Sequence, residues 1–149
     1  MLTQHALKQY HAHDLYWSAD LVVALEEVRT GLALEWATEC ARSLVAHAAP
    51  PESKEMLLSR LVELSQSKTA DGASLLEKSN QVWHEERDFI HTAIAHLYAA
   101  LAYLLQSNSP WYRLSVIRAV NLMGDHEYYR QTSLAIPLAL FEQFMPKPD

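Results

Sequence analysis

The sequence predicts an all-α protein folded as a single helical bundle, and three observations support this class. Only 3 of the 149 residues are glycine, whereas a β or α/β fold of this length normally needs more glycines in its turns. Apolar residues recur every three or four positions along much of the chain. No segment alternates apolar and polar residues over the length of a strand. With 50% hydrophobic residues, the chain can form one domain, 1–149, with its own core.

About six helical segments are predicted, and the first two precede Pro50–Pro51, where the hydrogen-bond ladder of a helix stops. The first extends from about Thr3 to Arg29 and is either continuous or broken near His13–Asp14. Its second part carries four apolar residues at helical spacing, Leu15, Leu21, Val22 and Leu25. The second segment follows Thr30–Gly31 and has small residues every four positions, Ala33, Ala37 and Ala41. Such a stripe lets a neighbouring helix approach closely.

The third and fourth segments follow the proline pair. The third, Glu52–Ser67, has leucines on one face. The fourth, from about Gly72 to Ser107, is predicted as one long central helix because apolar residues recur every seven positions. These residues are Leu76, Trp83, Ile90, Leu97 and Leu104, and the spacing predicts that they face neighbouring helices. Trp83, like Trp36 of the second segment, is expected to pack in the core. The uncharged stretch Phe89–Leu105 contains two histidines and a threonine, so it is interpreted as a buried core helix that does not span a membrane.

The fifth and sixth segments complete the bundle. The fifth, Trp111–Met123, is predicted to end at Gly124, since glycine is common just after a helix. The sixth, from about His126 to Met145, contains Pro137. Either the helix kinks at this proline or a second short helix begins near Ser133.

Net charge and cysteine content restrict the classes of function. The formal net charge of −6 repels phosphate backbones, so nucleic-acid binding is not expected, whereas a basic protein partner would be attracted. The single Cys40 excludes an intramolecular disulfide and a cysteine-rich zinc site. It lies in an apolar helix and is predicted to be buried and unreactive. No secretion signal is recognised, and a cytoplasmic location is expected.

Three residues form a candidate metal site. His84, Asp88 and His91 follow one another at i, i+4 and i+7, which places them on one face of a continuous helix. A second helix would have to complete the ligand set. The alternative is a charged helix face exposed to solvent. A metal-dependent helical-bundle enzyme is therefore one hypothesis for function.

Motifs for other catalytic chemistry are not found. Serines lack a nucleophile-elbow pattern, and there is no glycine-rich phosphate loop. The carboxylate pairs Glu26–Glu27 and Glu85–Glu86 are adjacent in sequence, and adjacent side chains on a helix diverge by about 100°. We therefore expect a protein that is not an enzyme and that needs no cofactor.

Acidic and aromatic residues are candidates for partner binding. Glu85, Glu86 and Asp88 form the densest negative cluster in the sequence, and opposite charge mainly accelerates association. Tyr128 and Tyr129 form an aromatic pair of the kind that is enriched in protein interfaces. Another aromatic cluster near the N-terminus contains Tyr10, Tyr16 and Trp17. The alternatives are a solvated acidic helix face and tyrosines that anchor helix ends in the core.

Two segments resemble the helical family of bacterial immunity proteins. One is Leu34–Arg42, a helix with tryptophan, alanine and cysteine, and the other is the alanine- and histidine-containing stretch Ile90–Leu105. The resemblance implies a cytosolic protein that binds and neutralises a cognate toxin without catalysis. A further alternative is an obligate homodimer in which the alanine-rich helices pair between the two copies.

Overall fold

The all-α prediction is confirmed by a computed structural model of the chain, which describes residues 2–66, 71–85 and 88–147. Within these residues there are nine α-helices and no strand. In chain order the helices are α1 (Leu2–His11), α2 (Ala19–Val28), α3 (Leu32–Ala48), α4 (Pro51–Gln66), α5 (Gly72–Glu85), α6 (Phe89–Leu105), α7 (Ser109–Asp125), α8 (Glu127–Gln131) and α9 (Ala135–Phe144). Their buried apolar side chains form one connected core.

Helix α3 lies at the centre of the bundle and packs against α2, α4, α6, α7, α8 and α9. The predicted small-residue stripe is buried, namely Ala33, Ala37 and Ala41. Trp36 is also buried as predicted, and its Nε1–H donates to the Pro137 carbonyl at 3.0 Å. The alanine face of α3 is therefore packed within the chain.

The first turn of α3 is capped by side chains from two other helices. The chain enters α3 through Gly31, whose φ of +92° favours glycine. The Glu26 carboxylate of α2 accepts hydrogen bonds from the backbone N–H groups of Gly31 (3.0 Å) and Ala33 (2.9 Å). The Tyr112 hydroxyl of α7 donates to Glu26 at 2.9 Å and accepts from the Leu34 N–H at 3.2 Å. Three N–H groups that a helix start leaves without acceptors are thus satisfied.

The prediction of one long central helix is wrong, because the chain bends at Asp88. This residue is extended (φ −96°, ψ 167°), and its Oδ1 accepts the His91 N–H at 2.9 Å as the N-cap of α6. An aspartate that satisfies a free backbone donor competes well with helix continuation. Helix α5 folds back along α6, so that the Ser79 hydroxyl donates to the Ala95 carbonyl at 2.7 Å.

The bend changes the environment of the seven-residue repeat. Ile90 and Leu97 of α6 are buried as predicted, but Trp83 of α5 is 48% exposed. Leu75 and Val82 are the two buried side chains of α5. Among the described residues, α6 is the helix on which α5 packs extensively. The expectation that Trp83 belongs to the core is therefore wrong.

The first predicted segment is divided near His13–Asp14, and its middle part differs from the prediction. The residues between α1 and α2 form a turn, in which Leu15 is 73% exposed although it continues the apolar spacing of α2. His13 has a φ of 60°, which interrupts the helix.

In the C-terminal half, the predicted helix end at Gly124 is wrong, and the choice between a kink at Pro137 and a new helix near Ser133 is decided. Helix α7 continues through Gly124 to Asp125, and Gly124 is needed for close packing instead of helix termination. The Trp17 ring lies 2.8 Å from the position that a Cβ would occupy at Gly124. The last segment is divided near Ser133 into α8 and α9. Pro137 falls in the first turn of α9, where its missing N–H costs nothing.

The burial of Leu97 provides a test of the core. Leu97→Asp places an unpaired carboxylate among apolar residues, which costs several kcal/mol against a total stability of about 5–15 kcal/mol. We expect loss of the cooperative thermal transition followed by circular dichroism. Leu105→Asp, at a 40% exposed position at the C-terminal end of the same helix, should melt only slightly below the wild type, since a carboxylate at this end of a helix costs about 1 kcal/mol or less. A wild-type melt for Leu97→Asp would contradict the buried position.

Candidate partner-binding site

The three candidate metal ligands do not share a helix face. His84 lies exposed in the last turn of α5, whereas Asp88 and His91 belong to the start of α6. His91 is buried, and its Nδ1 lies 2.8 Å from Asp88 Oδ1. Burial opposes the ionisation of Asp88, but the hydrogen bonds from His91 lower the pKa of this carboxyl below its usual value. Across residues 2–66, 71–85 and 88–147, no three His, Cys, Asp or Glu side chains are arranged to hold a metal ion.

The predicted acidic face is also interrupted by the bend. Glu85 forms an ion pair with Arg60, a buried residue of α4. Asp88 caps α6, and Glu86 lies outside the described residues. The side chains of Glu85 and Asp88 remain 36% and 49% exposed. They contribute negative charge at this end of the bundle, but they do not form one continuous acidic helix face.

The tyrosine pair faces two different environments. Tyr129 is fully buried, and its hydroxyl donates to the Cys40 carbonyl. Burial raises the pKa of Tyr129, and it is not available to a partner, so this part of the prediction is wrong. Tyr128 is half-buried and stacks on His47 with ring centroids 5.7 Å apart and planes at 6°.

Cys40 is fully buried, as predicted from its helix. Burial raises the pKa of its thiol, and the charge of neighbouring Glu39 adds to this shift. The reactive thiolate is therefore suppressed at neutral pH.

An open cleft of about 330 Å³ lies along the outer face of α7. The α7 residues that line it recur every three or four positions, namely Leu114, Ile117, Arg118, Asn121, Leu122 and Asp125. This spacing corresponds to one helix face. From Leu114 to Asp125 the floor extends about 16 Å along the helix axis. We call this site the aromatic cleft, because Tyr16 and Trp83 form part of its walls.

One wall of the aromatic cleft is the turn between α1 and α2. Leu15 and Tyr16 project from it and are 73% and 58% exposed. The turn is held by side chains as well as backbone. Asp14 Oδ1 accepts the Tyr16 N–H at 2.9 Å, and the Asn121 side-chain amide of α7 donates to the Leu15 carbonyl.

Trp17 fixes the orientation of this turn. Its ring is buried between Gly124 and Tyr10, with the Tyr10 ring edge-on at 6.0 Å between centroids. The next residue, Ser18, donates its hydroxyl to Asn121 Oδ1 at 3.0 Å. Because Trp17 points inwards, the two preceding apolar side chains are left facing solvent.

A second wall comes from α5 and α6. Trp83 is 48% exposed and lies edge-on to His96, with ring centroids 5.6 Å apart. Burial lowers the pKa of His96 to about 4, and the positive charge of Arg118 adds to this shift. Phe89 is 45% exposed and precedes Thr92, a lining residue, by one helical turn. The wall is thus apolar and, at neutral pH, uncharged.

Charges lie at separate positions along the floor. Asp125 is exposed at the last residue of α7, where the negative end of the helix dipole makes a carboxylate unfavourable. Arg118 is exposed two turns earlier. Neither side chain forms an ion pair with another residue in the part of the chain described here.

A larger cleft of about 430 Å³ lies between α3, α4 and α6. Its rim charges already neutralise each other, since Arg29 and Glu35 pair at 2.5 Å. Only Leu105 among its lining residues is a large apolar side chain with high exposure, at 40%. The aromatic cleft has three such residues and unpaired charges, so it is the better candidate for a binding surface.

Comparison with known protein families, with curated proteins and with solved structures found no match. None of the helices in the described ranges is long and apolar enough to cross a bilayer.

Sequence patterns did not indicate the aromatic cleft as a unit. The signal that was present is the aromatic cluster of Tyr10, Tyr16 and Trp17 next to a helix break. At such a break only some aromatic side chains can turn inwards. Leu15 and Trp83 gave no comparable signal, because both continue an apolar repeat.

The buried thiol gives one test. We expect Cys40 to react with a thiol reagent such as dithionitrobenzoate far more slowly in the native protein than in guanidinium, where one thiol per chain should react at once. Rapid labelling of the native protein would show that the Tyr129–Cys40 region opens easily.

His96 gives a second test, through pH. Its pKa is about 4 in the folded protein and about 6.5 in an unfolded chain. The unfolded state therefore binds more protons between these values, and stability should fall as the pH decreases from about 6.5 to about 4. Above about pH 6.5 the free energy of unfolding is not reduced by His96. Below about pH 4 the reduction is complete and amounts to at most about 3 kcal/mol.

Urea midpoints at pH 7.5, 5.5 and 4 would measure this effect. His96→Gln should lose less stability on acidification than the wild type, whereas His84→Gln, at an exposed position, should behave as the wild type. Equal losses in the wild type and His96→Gln would show that another group is responsible.

Proposed function

We propose that this chain is a non-enzymatic protein that binds another protein through the aromatic cleft. The observation that supports this proposal is the exposure of Leu15, Tyr16 and Trp83 around one cleft. Each buried Å² of apolar surface is worth about 25 cal/mol. Clustered exposed apolar residues therefore favour association, and aromatic residues in such clusters commonly dominate binding energy.

The arrangement of polar groups supports binding over catalysis. Arg118 and Asp125 are separated by about 10 Å along α7, so the charged residues of the floor are spaced along the helix and do not form a compact cluster. His96 is covered by the Trp83 ring on one side. The alternative of a metal-dependent enzyme is tested by metal analysis of the purified protein, in which a stoichiometric transition metal would overturn our proposal.

We further propose that the partner is a toxin and that the chain acts as a bacterial immunity protein in the cytoplasm. The resemblance in Leu34–Arg42 and Ile90–Leu105 supports this role. These segments fall on α3 and α6, which pack against each other in the core. The resemblance thus concerns the scaffold, and the exposed cleft would determine which toxin is bound. The net charge of −6 suits a basic partner.

A pair of tryptophans allows a matched test. The protein encoded beside the gene for this chain would be titrated by calorimetry with the wild type, Trp83→Ala and Trp111→Ala. The two tryptophans are 48% and 49% exposed, but only Trp83 lines the cleft. Trp83→Ala should weaken binding by about 30-fold or more, as expected when a central interface aromatic is truncated. Trp111→Ala should have little effect.

Protection from toxicity is the second readout. Co-expression of the wild-type chain should restore growth of cells that produce the neighbouring protein, and Trp83→Ala should restore it poorly. The proposal is contradicted if the neighbouring protein neither binds nor inhibits growth, or if both tryptophan variants lose binding equally.

A further inference from the structure

We propose that the aromatic cleft receives an amphipathic helix of the partner, laid along α7, with a basic residue over Asp125 and an acidic residue over Arg118. This inference rests on the proposed protein-binding function and specifies the chemistry of the partner. It depends on two observations, the dimensions of the cleft and the order of charges along its floor.

The dimensions of the cleft suit a helix. The floor extends about 16 Å from Leu114 to Asp125, which is about three helical turns. Leu15 and Tyr16 form one wall and Trp83 forms part of another, and the cleft is open to solvent. An incoming helix would place apolar residues at i, i+3 or i+4, and i+7 between these walls. This is the usual way in which a groove binds an amphipathic helix.

The charges specify which helix fits. Asp125 adds a carboxylate to the negative end of α7, an arrangement that costs the free protein stability and that a partner cation would relieve. Arg118 presents the opposite charge two turns away. His96, which also lines the cleft, is neutral at neutral pH. The adjoining cleft shares Asp125 and brings Asp14 and Arg130 close to that end. Their charges oppose each other, so the negative sign at this end is retained.

A partner helix therefore needs both signs, separated by about two turns. A helix that is basic at both positions meets Arg118, and one that is acidic at both positions meets Asp125. Direction along α7 is not specified, since a helix with one charge of each sign can lie in either orientation. The cleft thus selects charge order and not overall charge.

Three synthetic peptides test this selection. Each has about 18 residues and the same leucine repeat, and each is labelled with fluorescein for anisotropy titrations. The dipolar peptide has Glu in its first turn and Lys in its last, the second peptide has Lys in both, and the third has Glu in both. The dipolar peptide should bind the wild type saturably and about threefold to tenfold more tightly than the others at low ionic strength.

Charge-changing variants should alter this preference in opposite directions. Asp125→Lys makes both ends of the floor basic and should favour the all-Glu peptide. Arg118→Glu makes both ends acidic and should favour the all-Lys peptide. Exchanging the two charges in one double variant, Arg118→Asp with Asp125→Arg, should restore the preference for the dipolar peptide. Both positions are exposed, and thermal melts would verify that each variant is folded.

The outcomes separate this inference from the proposed function. The inference is overturned if no peptide binds saturably, or if peptide preference stays the same in all variants. It is also overturned if the neighbouring protein binds in a Trp83-dependent way but is indifferent to Arg118 and Asp125 changes, a result that would leave the proposed function intact. If the peptides follow the charge rule but the neighbouring protein does not bind, the toxin-binding proposal fails and the selectivity of the cleft stands.

Discussion

The hydrogen bonds around the Glu26 carboxylate hold the central helix in place, and most other elements take their positions from that helix. Glu26 binds two N–H groups at the start of α3, and Tyr112 connects the same carboxylate to a third. Each of these donors would cost about 1–3 kcal/mol if it were buried without an acceptor. Since Tyr112 belongs to α7, the bonds that cap α3 also fix the helix whose outer face is the floor of the aromatic cleft. Burial raises the pKa of Tyr112, and the Glu26 charge adds to this shift, so its hydroxyl remains a donor.

Much of the fold could be predicted from the sequence, because a helix that buries one face has apolar residues every three or four positions. The alanine stripe of α3 and the burial of the uncharged stretch Phe89–Leu105 were predicted from spacing and composition, and the division near Ser133 was one of two alternatives that Pro137 left open. The bend at Asp88 was not predicted, because a seven-residue repeat continues through it. Periodicity reports which residues could share a face if the helix continues. It does not report whether an aspartate will cap a new helix instead.

The candidate site was harder to predict than the core, for a related physical reason. Hydrophobic residues show the same pattern in the sequence whether they pack in the core or lie exposed at a binding surface. Leu15 and Trp83 both extend apolar repeats, yet both are exposed. Their exposure results from two local events, the positive φ at His13 and the helix start at Asp88. Tyr129 shows the reverse case, since an aromatic pair that resembles a binding motif places one ring entirely in the core.

Helix α5 gives the cleft walls unequal rigidity. Only Leu75 and Val82 of this helix are buried, and it packs mainly on α6, whereas the facing turn is fastened to α7 through Trp17, Ser18 and Asn121. Local opening costs least where few apolar contacts must be broken. The wall formed by the turn between α1 and α2 is therefore rigid, and the wall formed by α5 is more easily displaced. Such a site can accept bound segments of different diameter by a movement of α5 on the Trp83 side. The turn between α1 and α2 would keep the position of the bound segment along α7 unchanged. In the binding role proposed above, related partners would be accommodated by displacement of α5, without any change to the core.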